Sequence, residues 1–80
     1  MQDKILSIIR DYVRIDHLKP MVEDLASSLR DLRLDDIDLG GICVAIEDKF
    51  GIVIHDEEMR AWNMVADVVR CVVGKVGEEV

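Results

Sequence analysis

The stretch Leu29–Ile37, Leu-Arg-Asp-Leu-Arg-Leu-Asp-Asp-Ile, decides how the rest of the chain is read. Asp35 and Asp36 are good N-cap residues, because a side-chain carboxylate accepts the N–H groups that a first helical turn leaves without partners. After them Leu39, Ile42, Cys43, Ile46 and Phe50 recur at the spacing of a helix with one apolar face. Asp38, Glu47, Asp48 and Lys49 lie off that face. The pattern predicts a helix over 36–50, closed by Gly51 as its C-cap. Gly40 and Gly41 weaken it, by roughly 0.8–1.0 kcal/mol each relative to alanine in a helix interior.

Upstream, Ile5, Ile8, Ile9, Tyr12 and Val13 make Asp3–Ile15 an amphipathic helix, with Lys4, Arg10, Asp11 and Arg14 on its other face. The periodicity then breaks until Leu34. Pro20 blocks a continuing helix but suits a first turn, so a short helical turn is expected near Pro20–Ala26. Leu18, Met21, Val22, Leu25 and Leu29 are expected to pin this long connection onto the core. Downstream, Ile52-Val53-Ile54 reads as a buried extended connector without a strand partner. Asp56 is expected to cap a short third helix reaching Arg60 or Trp62, and Asn63 to cap a fourth. In that fourth helix Val65, Val68, Val69, Val72 and Val73 form the apolar stripe, and Phe50 is expected to pack on it near Val65 and Val69. Gly74 or Gly77 should end it, leaving residues 77–80 as a tail. The expectation is one all-α domain over 1–80, a small four-helix bundle with a long first loop.

The composition narrows the function. A chain of 80 residues, 50% hydrophobic with three aromatics, holds one modest aliphatic core and no walled catalytic cleft. No apolar run is long enough to cross a bilayer, and the N-terminus has no secretory pattern, so a cytoplasmic monomer away from membranes is expected. The net charge of −7 argues against nucleic acid as partner. It is concentrated: residues 35–60 carry a net −6 and the remainder −1. Such a local bias favours a basic protein partner by steering encounter, set against the plainer reading of a solvated face that keeps a small domain dispersed. Cys43 and Cys71 lack metal or redox spacing and read as small apolar residues. His17 and His55 stand in no nucleophile–base arrangement with Ser7, Ser27 or Ser28, so an enzyme is not expected.

Ser28–Ile37 resembles the acyl and peptidyl carrier protein motif, commonly SLRDLGLDSL. The likeness continues through Ala45–Ile54 and His55-Asp56-Glu57-Glu58, where the family usually has Pro-Asp-Glu-Glu, and the apolar spacing of Trp62–Val73 also fits. The resemblance implies a four-helix bundle with a long first connection. It also implies a serine at the start of the second helix that carries 4'-phosphopantetheine, attached by a phosphopantetheinyl transferase. This sequence has Asp36 there, Arg33 in place of the motif's glycine, and Ile37 in place of its last leucine. Asp36 has no hydroxyl and cannot form the serine phosphodiester, so no arm is attachable at that position. Ser28 lies outside the attachment position. Three readings of Asp36 stay open: a replacement that locks the protein unmodified, a divergence that leaves a docking module without an arm, or another mode of carriage.

The resemblance further implies that Asp35, Asp38, Glu47, Asp48 and Asp56 dock on basic patches of acyl-processing enzymes in fatty-acid, polyketide or related metabolism. Gly41 and Arg60 fall where the family often has acidic residues. A reading of another class is an arm-less protein-interaction module with an acidic docking helix. A third is divalent-cation binding, because Asp36, Asp38, Gly41 and Glu47 match positions one, three, six and twelve of a calcium loop. Gly40 and Val44 then occupy positions that should supply ligands, and no second loop pairs with it, so no metal ligand is assigned.

Overall fold

The first helix, α1 (Gln2–Tyr12), is the element that the others share. In the computed structural model, which describes residues 1–78, it packs against α2 (Asp36–Phe50), α4 (Val65–Glu78) and a 3-10 helix over Asp16–Glu23. The short α3 (Asp56–Arg60) leans on α2. The architecture is the expected all-α bundle with a long first connection. Apolar residues of α1 turn inward at helical spacing: Ile5, Leu6, Ile9 and Val13 are buried. They meet Ile42, Cys43 and Ile46 of α2 and Val65, Val68, Val69 and Val72 of α4 in one core.

The long connection closes that core. Val22, Leu29, Leu32 and Leu34 are buried, and Leu18 and Leu25 pack partly against it. Met21, expected to pin the loop, is 37% exposed; its carbonyl instead accepts a 2.7 Å hydrogen bond from the buried Ser27 hydroxyl. The helical turn expected near Pro20–Ala26 lies earlier, at Asp16–Glu23, and takes Pro20 inside it. Val22 is buried beneath this 3-10 helix, and Arg10 of α1 ion-pairs with Glu23 at its far end.

The backbone of the loop finds its partners in the start of α4. The N–H of Leu29 donates to the carbonyl of Asn63, and Ser28 faces Met64 in a single antiparallel bridge. In return the carbonyls of Ser27 and Leu25 accept the N–H groups of Val65 and Ala66 at 3.0 and 2.9 Å. The first turn of α4 is thus capped by main chain. Asn63, expected to cap it, does not: the Asp67 carboxylate accepts the N–H groups of Asn63 and Met64 at 2.8 and 2.9 Å. Those two hydrogen bonds hold the Asp67 carboxyl below its ordinary pKa.

Other boundaries differ by identifiable causes. α1 ends at Tyr12, not Ile15, because Val13 turns to extended backbone and its N–H closes on the carbonyl of Arg10. α3 begins one residue earlier than a cap at Asp56 would give, with His55 as N-cap and its N–H donated to Glu58 at 3.2 Å. α4 runs through Gly74 and Gly77 to Glu78. A glycine lowers helix propensity without ending a helix whose opposite face is packed. Glu79 and Val80 of the expected tail lie outside the described residues. Phe50 is half-buried against the core rather than sealed within it. Ile52 and Ile54 are buried while Val53 is 63% exposed, as an extended connector alternates. Among the described residues there is no strand.

Two backbone positions show where the chain diverges from its motif. Arg33 sits at φ 63°, in the left-handed region. An L-residue there costs about 1–2 kcal/mol, which is the physical reason a glycine suits this turn. Gly41 lies under Tyr12 of α1: a Cβ on it would stand 2.6 Å from Tyr12 Cε2. Gly40 has open space around its missing Cβ. The two adjacent glycines therefore predict opposite responses. Gly40→Ala should stabilise the fold by about 0.8–1 kcal/mol through helix propensity alone. In Gly41→Ala the phenol must move, at an overpacking cost of about 1–3 kcal/mol that cancels or exceeds the same gain. Urea denaturation of both, repeated in a Tyr12→Ala background, checks this: the gap between the two alanines should close once the ring is gone.

Candidate functional site

The N-terminus of α2 is built by reciprocal hydrogen bonds. Asp35 is the N-cap: its Oδ1 accepts the N–H of Asp38 at 2.9 Å, and Asp38 Oδ2 accepts the N–H of Asp35 at 3.1 Å. The capping role considered for Asp36 thus falls to its neighbour. Two consecutive aspartates could each serve, and the register is decided by which of them has the second carboxylate three residues on. Asp36 is the first residue inside the helix, exposed to solvent.

Asp38 was expected on the docking face and is instead 6% exposed. Its carboxylate reaches toward α1, where Arg14 donates to Oδ1 at 2.7 Å. Asp35 Oδ2 lies 3.9 Å from the same guanidinium. Hydrogen bonding to Arg14 holds the Asp38 carboxyl below its ordinary pKa, against the desolvation that pushes it up. Position 36 is therefore fixed by a helix start that Arg14 ties to α1.

Beside Asp36 opens a cleft of about 560 Å³. Ser28–Asp31 and Leu34 of the connection, Leu39 of α2, and Trp62 and Asn63 ahead of α4 line it together with Asp36. Trp62 is 7% exposed, a placement its apolar spacing in the sequence did not single out. Ser28 lines the cleft, and its hydroxyl accepts the N–H of Arg30 at 3.2 Å.

The remaining acidic candidates separate by exposure. Asp48 and Asp56 are exposed, at the end of α2 and the start of α3. Glu47 is half-buried, and its Oε2 accepts the N–H of Ile54 at 2.8 Å, so it also holds the extended connector. The structure brings Asp35, Asp36 and Asp38 together at one end of α2 and leaves Glu47, Asp48 and Asp56 toward the other. The calcium-loop reading is overturned, because residues 36–47 are continuous helix and cannot wrap an ion. Among the described residues no group of three or more His, Cys, Asp or Glu is placed to hold a metal.

Neither cysteine supplies a ready thiol. Burial pushes the Cys43 thiol up to about 11, with Glu47 adding to it. Burial raises the half-buried Cys71 too. At neutral pH both stay protonated and weakly nucleophilic.

Two predictions follow from this geometry. Asp35→Ala should cost about 0.5–2 kcal/mol through loss of the cap, whereas Asp36→Ala should fall within about 0.5 kcal/mol of the parent; urea denaturation at pH 7 distinguishes them. The second concerns acid. A carboxyl whose folded pKa is depressed stabilises the fold above its unfolded value, about 3.9, and loses that contribution as pH falls through the folded value. Removing the guanidinium with Arg14→Gln should therefore destabilise the protein most at pH 7, and the two stability curves should converge as acid protonates the Asp38 carboxyl. A constant gap from pH 7 into acid would show that Arg14 acts through packing of its stem.

The fold and site find their counterparts among known proteins. Residues 3–72 match the family model described as Phosphopantetheine attachment site. Over 74 residues the chain is 34% identical to an acyl carrier protein of Thermosynechococcus vestitus (strain NIES-2133 / IAM M-273 / BP-1), covering 92% of this chain and 89% of that one. No solved structure matches the chain. The family model spans α1 to most of α4 and includes the helix start at Asp36. The chain belongs to the phosphopantetheine-attachment family of acyl carrier proteins, and its role is that of a carrier protein and not of an enzyme.

Proposed function

We propose that this domain serves fatty-acid, polyketide or related acyl metabolism as a carrier-type docking module that, as written, bears no arm. The observation that carries the reading is Asp36: an exposed carboxylate at the first position of α2, beside an open cleft, where the family motif has its serine. 4'-Phosphopantetheine, when bound, supplies a thiol that holds an acyl group as a thioester. The residues present do not fit its attachment. A carboxylate offers no hydroxyl for the phosphodiester, the Ser27 hydroxyl is buried and spent on the Met21 carbonyl, and Ser28 lies eight residues upstream of position 36. The cysteines do not substitute for the arm's thiol, being buried or half-buried and held protonated.

What the chain retains is the surface a carrier offers to its enzymes. Asp35 keeps 59% of its side chain exposed, and with Asp48 and Asp56 it forms the exposed set; Glu47 is half-buried. Their field attracts the basic patch of an acyl-processing enzyme or a phosphopantetheinyl transferase. Asp38 acts from beneath, by fixing the start of α2. The setting is a cytoplasmic monomer. Among the described residues no helix is long and apolar enough to cross a membrane.

Intact mass tests the reading. Incubated with coenzyme A and a broad-specificity phosphopantetheinyl transferase, the chain should show no gain, while Asp36→Ser should gain one phosphopantetheine. Serine lacks the charge of aspartate but suits a helix start, so the variant should fold. A gain on the unsubstituted chain would overturn the account of Asp36, and a folded Asp36→Ser that stays unmodified would overturn the assignment of position 36 as the attachment point.

A further inference from the structure

The cleft beside position 36 carries charges of both signs that do not neutralise one another. Arg30 lines it from the connection and Asp36 from the start of α2, and both residues are exposed. Among the described residues neither has an ion-pair partner. The guanidinium and the carboxylate thus line one space without meeting. Ser28 lines it as well; its oxygen accepts the N–H of Arg30, which leaves the hydroxyl proton to donate elsewhere. Leu39 and Trp62 add apolar edges. At about 560 Å³ the cleft is in the size range of small-molecule sites.

We propose that this cleft binds a free α-amino acid with an apolar side chain, its carboxylate taken by Arg30 and Ser28 and its ammonium by Asp36. The inference rests on the reading of Asp36 as an unmodified carboxylate, since a serine there would offer no charge. A ligand of one sign is drawn by one of the two groups and repelled by the other, whereas a zwitterion satisfies both. The planar guanidinium suits a carboxylate because it can donate two parallel hydrogen bonds. Asp31 also lines the cleft, but it adjoins Arg30 on the same turn. Asp36 instead stands on a helix start that Arg14 ties to α1. A carboxylate on backbone already fixed loses less freedom on binding, so Asp36 is the ammonium partner. Leu39 and Trp62 favour an apolar side chain on the ligand. Exposed charge pairs each contribute little, so the affinity is in the millimolar range.

Three probes with one side chain decide it: leucine, which is a zwitterion, leucinamide, a cation, and N-acetylleucine, an anion. Each is titrated into the isotopically labelled full chain at about pH 6.5, below the α-amino pKa, and followed by the amide shifts of Leu29, Leu39 and Asn63 and by the Trp62 indole. Leucine should give saturable shifts there and bind at least about threefold more tightly than either derivative. Arg30→Gln should remove the preference over leucinamide, and Asp36→Asn the preference over N-acetylleucine. The proposal is overturned if leucine gives no saturable shift in the cleft, or if either derivative binds as tightly as leucine. It is equally overturned if the preferences survive both substitutions, or if Asp31→Asn has the effect expected of Asp36→Asn. None of these outcomes bears on the intact-mass result, which reads covalent attachment at position 36; a phosphopantetheine gain on the unsubstituted chain would overturn the account of Asp36 whatever the probes show.

Discussion

A chain this short, with no sheet among its described residues, must find hydrogen-bond partners for a connection that runs from Val13 to Asp35, and the rest of the fold depends on where it finds them. The solution is the start of α4. Leu25 and Ser27 give carbonyls to its first turn, and Asn63 gives one back to Leu29. Each party is incomplete alone: past the 3-10 helix the connection has no regular structure to satisfy it, and the first N–H groups of α4 have no intrahelical acceptors. Leu29 and Val65, at the two ends of this exchange, are both buried. The loop and α4 should accordingly open as one cooperative unit, and amide exchange in Val65 and Ala66 should track that in Leu29.

The second level of organisation is the tie between α1 and α2. Tyr12 and Arg14, two residues apart at and just beyond the end of α1, do different work: one fills the hollow over Gly41, the other pins the Asp35–Asp38 capping pair. Both contacts lie on the side of α2 that adjoins α1. The start of α2 is therefore held in place from outside α2, by side chains at the end of α1.

Much of this was legible in the sequence. The bounds of α2 follow from the apolar period and from Gly51, which adopts φ 65° as a C-cap should. The aliphatic core follows from the same periodicity in α1 and α4. What could not be read depended on single-residue choices or on distant partners. Asp35 and Asp36 are chemically equal as caps, and only the reach of Asp38 decides between them. The burial of Asp38 depends on Arg14, twenty-four residues away. Asn63 has the residue type of a cap, yet Asp67 and the loop carbonyls take that place. The role of Gly41 is invisible without the ring above it. The motif likeness located position 36, while composition and periodicity alone supplied only a helix start there.

Trp62 has a consequence of a practical kind. It is the single tryptophan of the chain, nearly enclosed, and it lines the same cleft as Asp36. Its indole is thus an intrinsic optical reporter placed at the one location where a change at position 36 or a visitor in the cleft would alter local polarity. Emission wavelength and quenching by a small neutral quencher would read that environment directly, without a label and without a second tryptophan to confuse the signal.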